Sequence, residues 1–230
     1  MHRIKILFLL FVSGFVFSQT PINTDRPDQS DGVYVLPKNK MQIENGFTFA
    51  EKTALNNFMF RYGLSGSTEI RALLDFGMQN SEKGLLPATF SIKQRIVSQK
   101  GIFPAITFSG YVSSGYLASK AFHNHEFTFS FITAFENKIT DSFAVSYNIG
   151  TSSFHKDILF TACFNYAFSE KLTGFAEYFS NFEKTLKPNH NTDFGLLYLM
   201  NSNFQIDLAT GISIAEQPNL FVTTGISFRL

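Results

Sequence analysis

Twelve ionisable side chains are the groups in this 230-residue chain whose types and spacing could do chemistry. They are Glu44, Arg61, Glu69, Arg71, Asp75, Lys93, Arg95, Glu126, Glu177, Asp193, Asp207 and Arg229. Each lies in a segment that alternates residue by residue, and each is on the phase opposite the greasy one. Acids and bases gathered on one face either neutralise one another as ion pairs or line a polar passage. Glu44, Arg61, Glu69, Arg71, Arg95, Asp207 and Arg229 also lie within a few residues of one set of segment ends, where they are expected to form a belt of mixed charge. Glu177 lies apart, on the same phase as Phe175 and Phe179, and is the best-placed polar group for touching a solute. The bland alternative for all of them is the packing of a filled interior.

Two histidine motifs offer other chemistry. His123 and His125 flank Asn124 and precede Glu126, a spacing that chelates a metal when it sits on a strand end. Metal sites need three or four ligands and no third is nearby, so a loop pair is the reading and no metal is assigned. His155 follows Ser152 and Ser153. A barrel lipase needs Ser and His within hydrogen-bond reach of each other, with a base to orient the His. No motif here fixes that geometry, so the expectation is a protein without enzymatic activity and without a cofactor.

The elements that carry these residues are β-strands. Phe143, Val145, Tyr147 and Ile149 alternate with Ala144, Ser146, Asn148 and Gly150, and Val222, Thr224, Ile226, Phe228 and Leu230 alternate with Thr223, Gly225, Ser227 and Arg229. Side-chain period two gives a strand one greasy and one small or polar face. The pattern predicts strands near 40–50, 55–64, 68–79, 87–97, 102–112, 125–136, 142–150, 157–168, 171–181, 191–200, 203–213 and 219–230. The connections after even-numbered strands are short and rich in turn formers, such as Ser65-Gly66-Ser67 and Asn201-Ser202. Those after odd-numbered strands are mostly longer. An outer-membrane barrel has short periplasmic turns and long external loops. The expected fold is therefore all-β, an antiparallel up-and-down transmembrane β-barrel. Twelve strands fit best, with ten or fourteen also compatible, and an even count puts both termini in the periplasm.

A soluble sandwich or lipocalin-like barrel would also alternate. Its polar face, however, should carry Lys and Glu, whereas here it is rich in Gly, Ala, Ser and Thr. Arg3 and Lys5 precede an apolar run from Ile6 to Phe17, which is too short to span a bilayer and predicts a signal peptide, 1–18, cleaved near Ser18. Removing those two from the 19 basic residues leaves 17 against 18 acidic ones, a net charge of −1 that suggests no nucleic-acid partner. A single Cys rules out an intrachain disulfide framework. Trp is absent and Phe occurs 29 times, so an interfacial belt must be built from Tyr and Phe.

Residues 19–39 do not alternate. They carry Pro21, Pro27, Pro37 and several Asp, and read as an extended arm ahead of the barrel, 40–230. Asp25, Arg26 and Asp28, stiffened by Pro27, are expected to enter the lumen from the periplasm and pair with the charge belt as a plug.

Several stretches carry a resemblance. They are Thr24 to Gln29, Pro37-Lys38, Gln42 to Phe47, Arg61 to Leu64, Glu69-Ile70-Arg71, Asp193 to Tyr198, Gln205-Ile206-Asp207 with Gly211, and Gly225 to Arg229. Together they resemble a family of small outer-membrane barrels common in Bacteroidetes, labelled a transporter or a phenol-degradation meta-pathway barrel. The resemblance covers essentially the whole chain after the signal and implies the fold and a Gram-negative outer-membrane location. The partners expected there are outer-membrane lipid and lipopolysaccharide, and the barrel-assembly machinery, for which Phe228 is in phase although the chain ends on Leu230. The expected function is a porin-like channel or transporter for small, hydrophobic or aromatic molecules. A closed structural or adhesive barrel that binds through its external loops remains the alternative, with a barrel lipase behind it.

Overall fold

The computed structural model describes residues 20–153, 156–183, 186–214 and 218–230; the signal segment 1–18 and His155 lie outside the described residues. The strands are β1 (Met41–Ala50), β2 (Thr53–Gly63), β3 (Thr68–Gln79), β4 (Glu82–Leu85), β5 (Ala88–Val97), β6 (Ala105–Ser114), β7 (Phe127–Lys138), β8 (Phe143–Thr151), β9 (Asp157–Ala167), β10 (Leu172–Glu183), β11 (Asn189–Asn201), β12 (Phe204–Ser213) and β13 (Leu220–Arg229). Chain neighbours pair antiparallel except β4 and β5, which both pair with β3, and β13 closes onto β1 in register from Gln42 opposite Arg229 to Ala50 opposite Phe221. Closure removes the two sheet edges that β1 and β13 would otherwise expose, and the short β4 bonds loop residue Ser119 on its second edge.

The barrel has twelve staves, because β4 and β5 share one. The upper half of β3, Phe76 to Gln79, pairs with β4, and its lower half, Thr68 to Leu73, pairs with β5. Pro87 cannot donate to the ladder, and the stave is interrupted there. The segment 80–86, expected to be a loop, is instead a tight hairpin. Asn80 and Ser81 adopt positive φ, 51° and 72°, the geometry of a two-residue turn whose twist suits antiparallel strands. Glu82-Lys83-Gly84-Leu85 has no greasy phase, so its sequence carried no strand signal.

The two faces are inverted relative to a protein that folds in water. Phe47, Phe90, Phe164, Phe194 and Leu208 point outward and are roughly half exposed, while Glu44, Arg61, Glu69 and Lys93 are fully buried. Cross-strand aromatic pairs stack on the outer wall, as in Phe135 on Tyr147 with ring centroids 4.9 Å apart. A polar interior behind an apolar, aromatic exterior suits a solvent of lipid. A soluble barrel would have the opposite arrangement.

Candidate functional site

Because side chains alternate, one phase of every strand converges on the lumen, and neighbouring staves place their charges side by side. Arg61 on β2 is directly opposite Arg71 on β3, a juxtaposition of like charges that is unfavourable unless carboxylates separate them. Glu44 and Glu69 do so. Arg61 Nη1 donates to Glu44 Oε1 at 2.7 Å, and its Nε and Nη2 reach Glu69 at 3.0 and 2.9 Å. Around Arg61, Arg71 and Lys93 the wall supplies Glu44 and Glu69, with Glu136 on β7 also within reach of Lys93.

The N-terminal arm brings further negative charge to these cations. Asp25 accepts from Arg71 Nη1 at 2.8 Å and from Lys93 Nζ at 3.0 Å, with Arg61 at 3.7 Å. Asp31 lies 3.4 Å from Arg71, whose guanidinium stacks over the Tyr111 ring at 4.9 Å. Tyr111 Oη donates to the Asp31 carboxylate at 2.6 Å. Burial disfavours the charged form of Asp25, but Arg61, Lys93 and Arg71 outweigh it and hold its carboxyl well below the usual range. Burial likewise opposes ionisation of Asp31, and Arg71 and Lys93 hold it low. Asp28 has no such cations. Burial, Glu177 and Asp25 push its carboxyl well above the usual range.

Arg26 docks in a notch in the wall. Gly46 on β1 and Gly225 on β13 are direct cross-strand partners on the inward phase. A Cβ at Gly46 would lie 2.1 Å from the Arg26 guanidinium carbon, and one at Gly225 would lie 2.7 Å from its Nε. The notch lets Nη2 reach Asp207 at 3.2 Å and Thr223 Oγ1 at 3.0 Å. Replacing Gly46 by valine is expected to expel the guanidinium while the barrel still forms, because the obstructed atoms end a flexible side chain. Hydrogen exchange read by mass spectrometry should then show faster exchange across residues 22–36 with the strands unchanged. Unchanged protection of the arm would mean that Arg26 does not anchor it.

The arm enters and leaves by the same end of the barrel. The Ile22 N–H donates to Ser202 O at the turn between β11 and β12. At the tip, the Gln29 N–H donates to Glu177 Oε2 at 2.7 Å, and Ser30 Oγ bonds Glu177 and Thr161. Asp31 and Asn148 exchange two hydrogen bonds, at 2.7 and 3.1 Å. The chain then descends past Thr107, which donates to Val33 O, and the Leu36 N–H donates to Glu69 Oε2 at 2.7 Å.

The belt residues are therefore not one ring. Glu44, Arg61, Glu69 and Arg71 form a single network with the arm, and Asp207 holds Arg26. Arg95 and Arg229 bond backbone instead: Arg95 the Gly66 carbonyl, Arg229 the Thr20 carbonyl at 2.6 Å together with Asn203 Oδ1 at 2.8 Å. Asp28 does not meet the belt cations and faces Cys163 and Glu177. Glu177 is capped by the arm tip, so its carboxylate does not stand free for a solute. Phe175 packs against Cys163, Ala209 and Leu197. Of that trio, Phe179 lines the lumenal cavity on the loop side. His123 and His125 pack edge-on to each other beside Tyr116, with imidazole centroids 4.9 Å apart. Sequence reasoning did not single out Asp31 or Tyr111. Tyr111 was legible as inward by phase, between Ser109 and Ser113, but nothing local marked Asp31 among the acids of the arm.

The tip divides two cavities. One of about 330 Å³ lies on the side of the short turns and is lined by Asp28, Ser30, Ser146, Asn165 and Lys171 among others. Another of about 180 Å³ lies on the opposite side and is lined by Gln29, Ile132, Leu159, Thr161 and Phe179 among others. Asp28 and Ser30 face one cavity and the intervening Gln29 faces the other.

The sequence profile of the family described as "Putative MetA-pathway of phenol degradation" matches residues 24–230. Among curated proteins none matches the sequence. Solved barrels share the fold. The KdgM porin in complex with disordered oligogalacturonate superposes with a TM-score of 0.67 at 10% identity, covering 81% of this chain and 98% of that one. The NanC porin gives 0.62 at 8% identity, covering 83% and 100%. The outer membrane protein Omp33 of Acinetobacter baumannii gives 0.53 at 8% identity, covering 84% and 99%. At such identities the likeness is one of fold.

Proposed function

The chain belongs to the MetA-pathway phenol-degradation family, and from that premise we propose that it is an outer-membrane channel for small amphipathic solutes, closed by its own N-terminal arm. On this reading the signal is removed near Ser18, both termini are periplasmic, and the exterior aromatic band meets lipid and lipopolysaccharide after insertion by the barrel-assembly machinery. The observation that carries the proposal is the septum Asp28–Ser30, a few residues thick between two lumenal cavities. Moving it would join them into one path.

The lining suggests the solute class. On the loop side Ile132, Leu159 and Phe179 present apolar surface beside Asn148 and Thr161, which suits a molecule with a greasy body and a polar handle. The cations around the arm, Arg26, Arg61, Arg71 and Lys93, are each paired with a carboxylate, which favours a solute other than a polyanion such as the one named with the KdgM porin.

Liposome swelling tests the assignment. Vesicles holding the barrel should admit small aromatic alcohols faster than sugars of equal mass, and Phe179→Asn should erase that preference without closing the pore. Equal rates for both solutes in the parent protein would refute the amphipathic class. Vesicles that stay closed to every solute, with or without the arm, would instead support a sealed structural barrel.

A further inference from the structure

We propose that Asp28, Cys163, Glu177 and Asp193 form a binding site for a divalent transition-metal cation of the zinc type, which clips the arm tip to the barrel wall. Three of these residues sit side by side on adjacent staves. Glu177 on β10 is in register with Cys163 on β9 and with Asp193 on β11, all on the inward phase. Asp28 descends onto them from the arm, and the ligand atoms of Asp28, Cys163 and Glu177 lie within 4.8 Å of one another. Zinc-type ions bind sulfur at about 2.3 Å and carboxylate oxygen at about 2.0–2.2 Å, so small side-chain rotations would bring these atoms around one ion.

The second observation is an orphaned carboxylate. Asp193 is fully buried against the Glu177 carboxylate, and no donor group among the described residues reaches either of its oxygens. None of Asp28, Glu177 and Asp193 forms an ion pair among the described residues, although ion pairs neutralise the other half of the lumen. Buried carboxylates without counter-charge are costly, and a bound cation relieves that cost. Glu177 already accepts from Gln29 N–H and Ser30 Oγ, which orients its carboxylate and leaves lone pairs free for an ion.

The donor set selects the ion. A thiol beside carboxylates, with no imidazole, suits zinc-type ions better than calcium or magnesium, which prefer oxygen alone. Entry is through the 330 Å³ cavity, which Asp28 lines. Binding would release the Cys163 proton, so affinity should fall as pH falls. The site needs only the docked arm and stands whether or not a solute passes.

Cobalt(II) is the probe, because thiolate coordination gives a near-ultraviolet charge-transfer band. The titration uses the folded, untagged barrel carrying His123→Ala and His125→Ala, which removes the loop histidines as competing ligands. A saturable band displaced by zinc is expected. It should vanish in Cys163→Ala, while Asp193→Asn should keep the band but weaken affinity by about tenfold or more, the scale on which site perturbations act. Heat-modifiable gel mobility confirms that each variant is folded. The absence of a saturable band in the folded parent, a band that survives Cys163→Ala, or an affinity unmoved by Asp193→Asn would overturn the site.

Discussion

Arg61→Met is expected to destabilise the folded barrel by about 3–5 kcal/mol, the usual cost of removing one partner from a buried ion pair. Arg61 is fully buried and bonds Glu44 and Glu69, both fully buried as well, with Asp25 close by. Methionine fills similar volume, so little of the loss comes from a cavity. What remains is two carboxylates facing each other across β1, β2 and β3 with no cation between them. Urea-dependent folding into vesicles, followed by gel mobility, would measure the change. Arg95→Met provides the scale, because Arg95 bonds only a turn carbonyl in a partly exposed position and should cost less than about 1 kcal/mol. Adding Glu69→Gln to Arg61→Met should recover part of the loss, as expected for residues that share one network. Equal costs for Arg61→Met and Arg95→Met would mean that the network contributes nothing to stability.

Removing residues 20–36 behind an intact signal peptide should raise mean conductance in planar bilayers by roughly 100-fold. The arm is held by Asp25 on Arg71 and Lys93, by Arg26 on Asp207 and by the Gln29–Asp31 tip on Glu177, Thr161 and Asn148. If these contacts bias the closed state by only about 3 kcal/mol, the open fraction is below about 1%. Deletion abolishes the bias, and water then solvates the wall charges the arm had neutralised. A conductance that stays at the level of the intact chain would show that the arm is not the barrier, and would leave the sealed structural barrel as the better account.

How much of this was legible in advance depended on range. Period two is a local property, so the greasy and polar phases of β7 to β13, the stave count and the alternation of loop lengths could all be read from neighbouring residues. The inward charges followed from the same phase, and Pro21, Pro27 and Pro37 set the arm apart by its lack of alternation. β4 was missed because Glu82 to Leu85 has no greasy phase and is held as a strand by pairing with β3. Glu177 was correctly placed inward, but its covering by Ser30 was not visible.

By itself, then, the sequence determined a closed lipid-facing barrel with a charged interior and a charged leading arm, because the side-chain direction of a strand depends only on its own alternation. The tertiary structure alone decided which charges meet. Arg26 finds Asp207 across a separation of 181 residues, through a notch that exists only because closure sets Gly46 opposite Gly225. Asp25 and Asp28, three residues apart, end in opposite electrostatic settings, one among three cations and the other among carboxylates and a thiol. The physical reason is that barrel closure brings distant staves together around the arm, and no local pattern encodes which stave each arm residue will face.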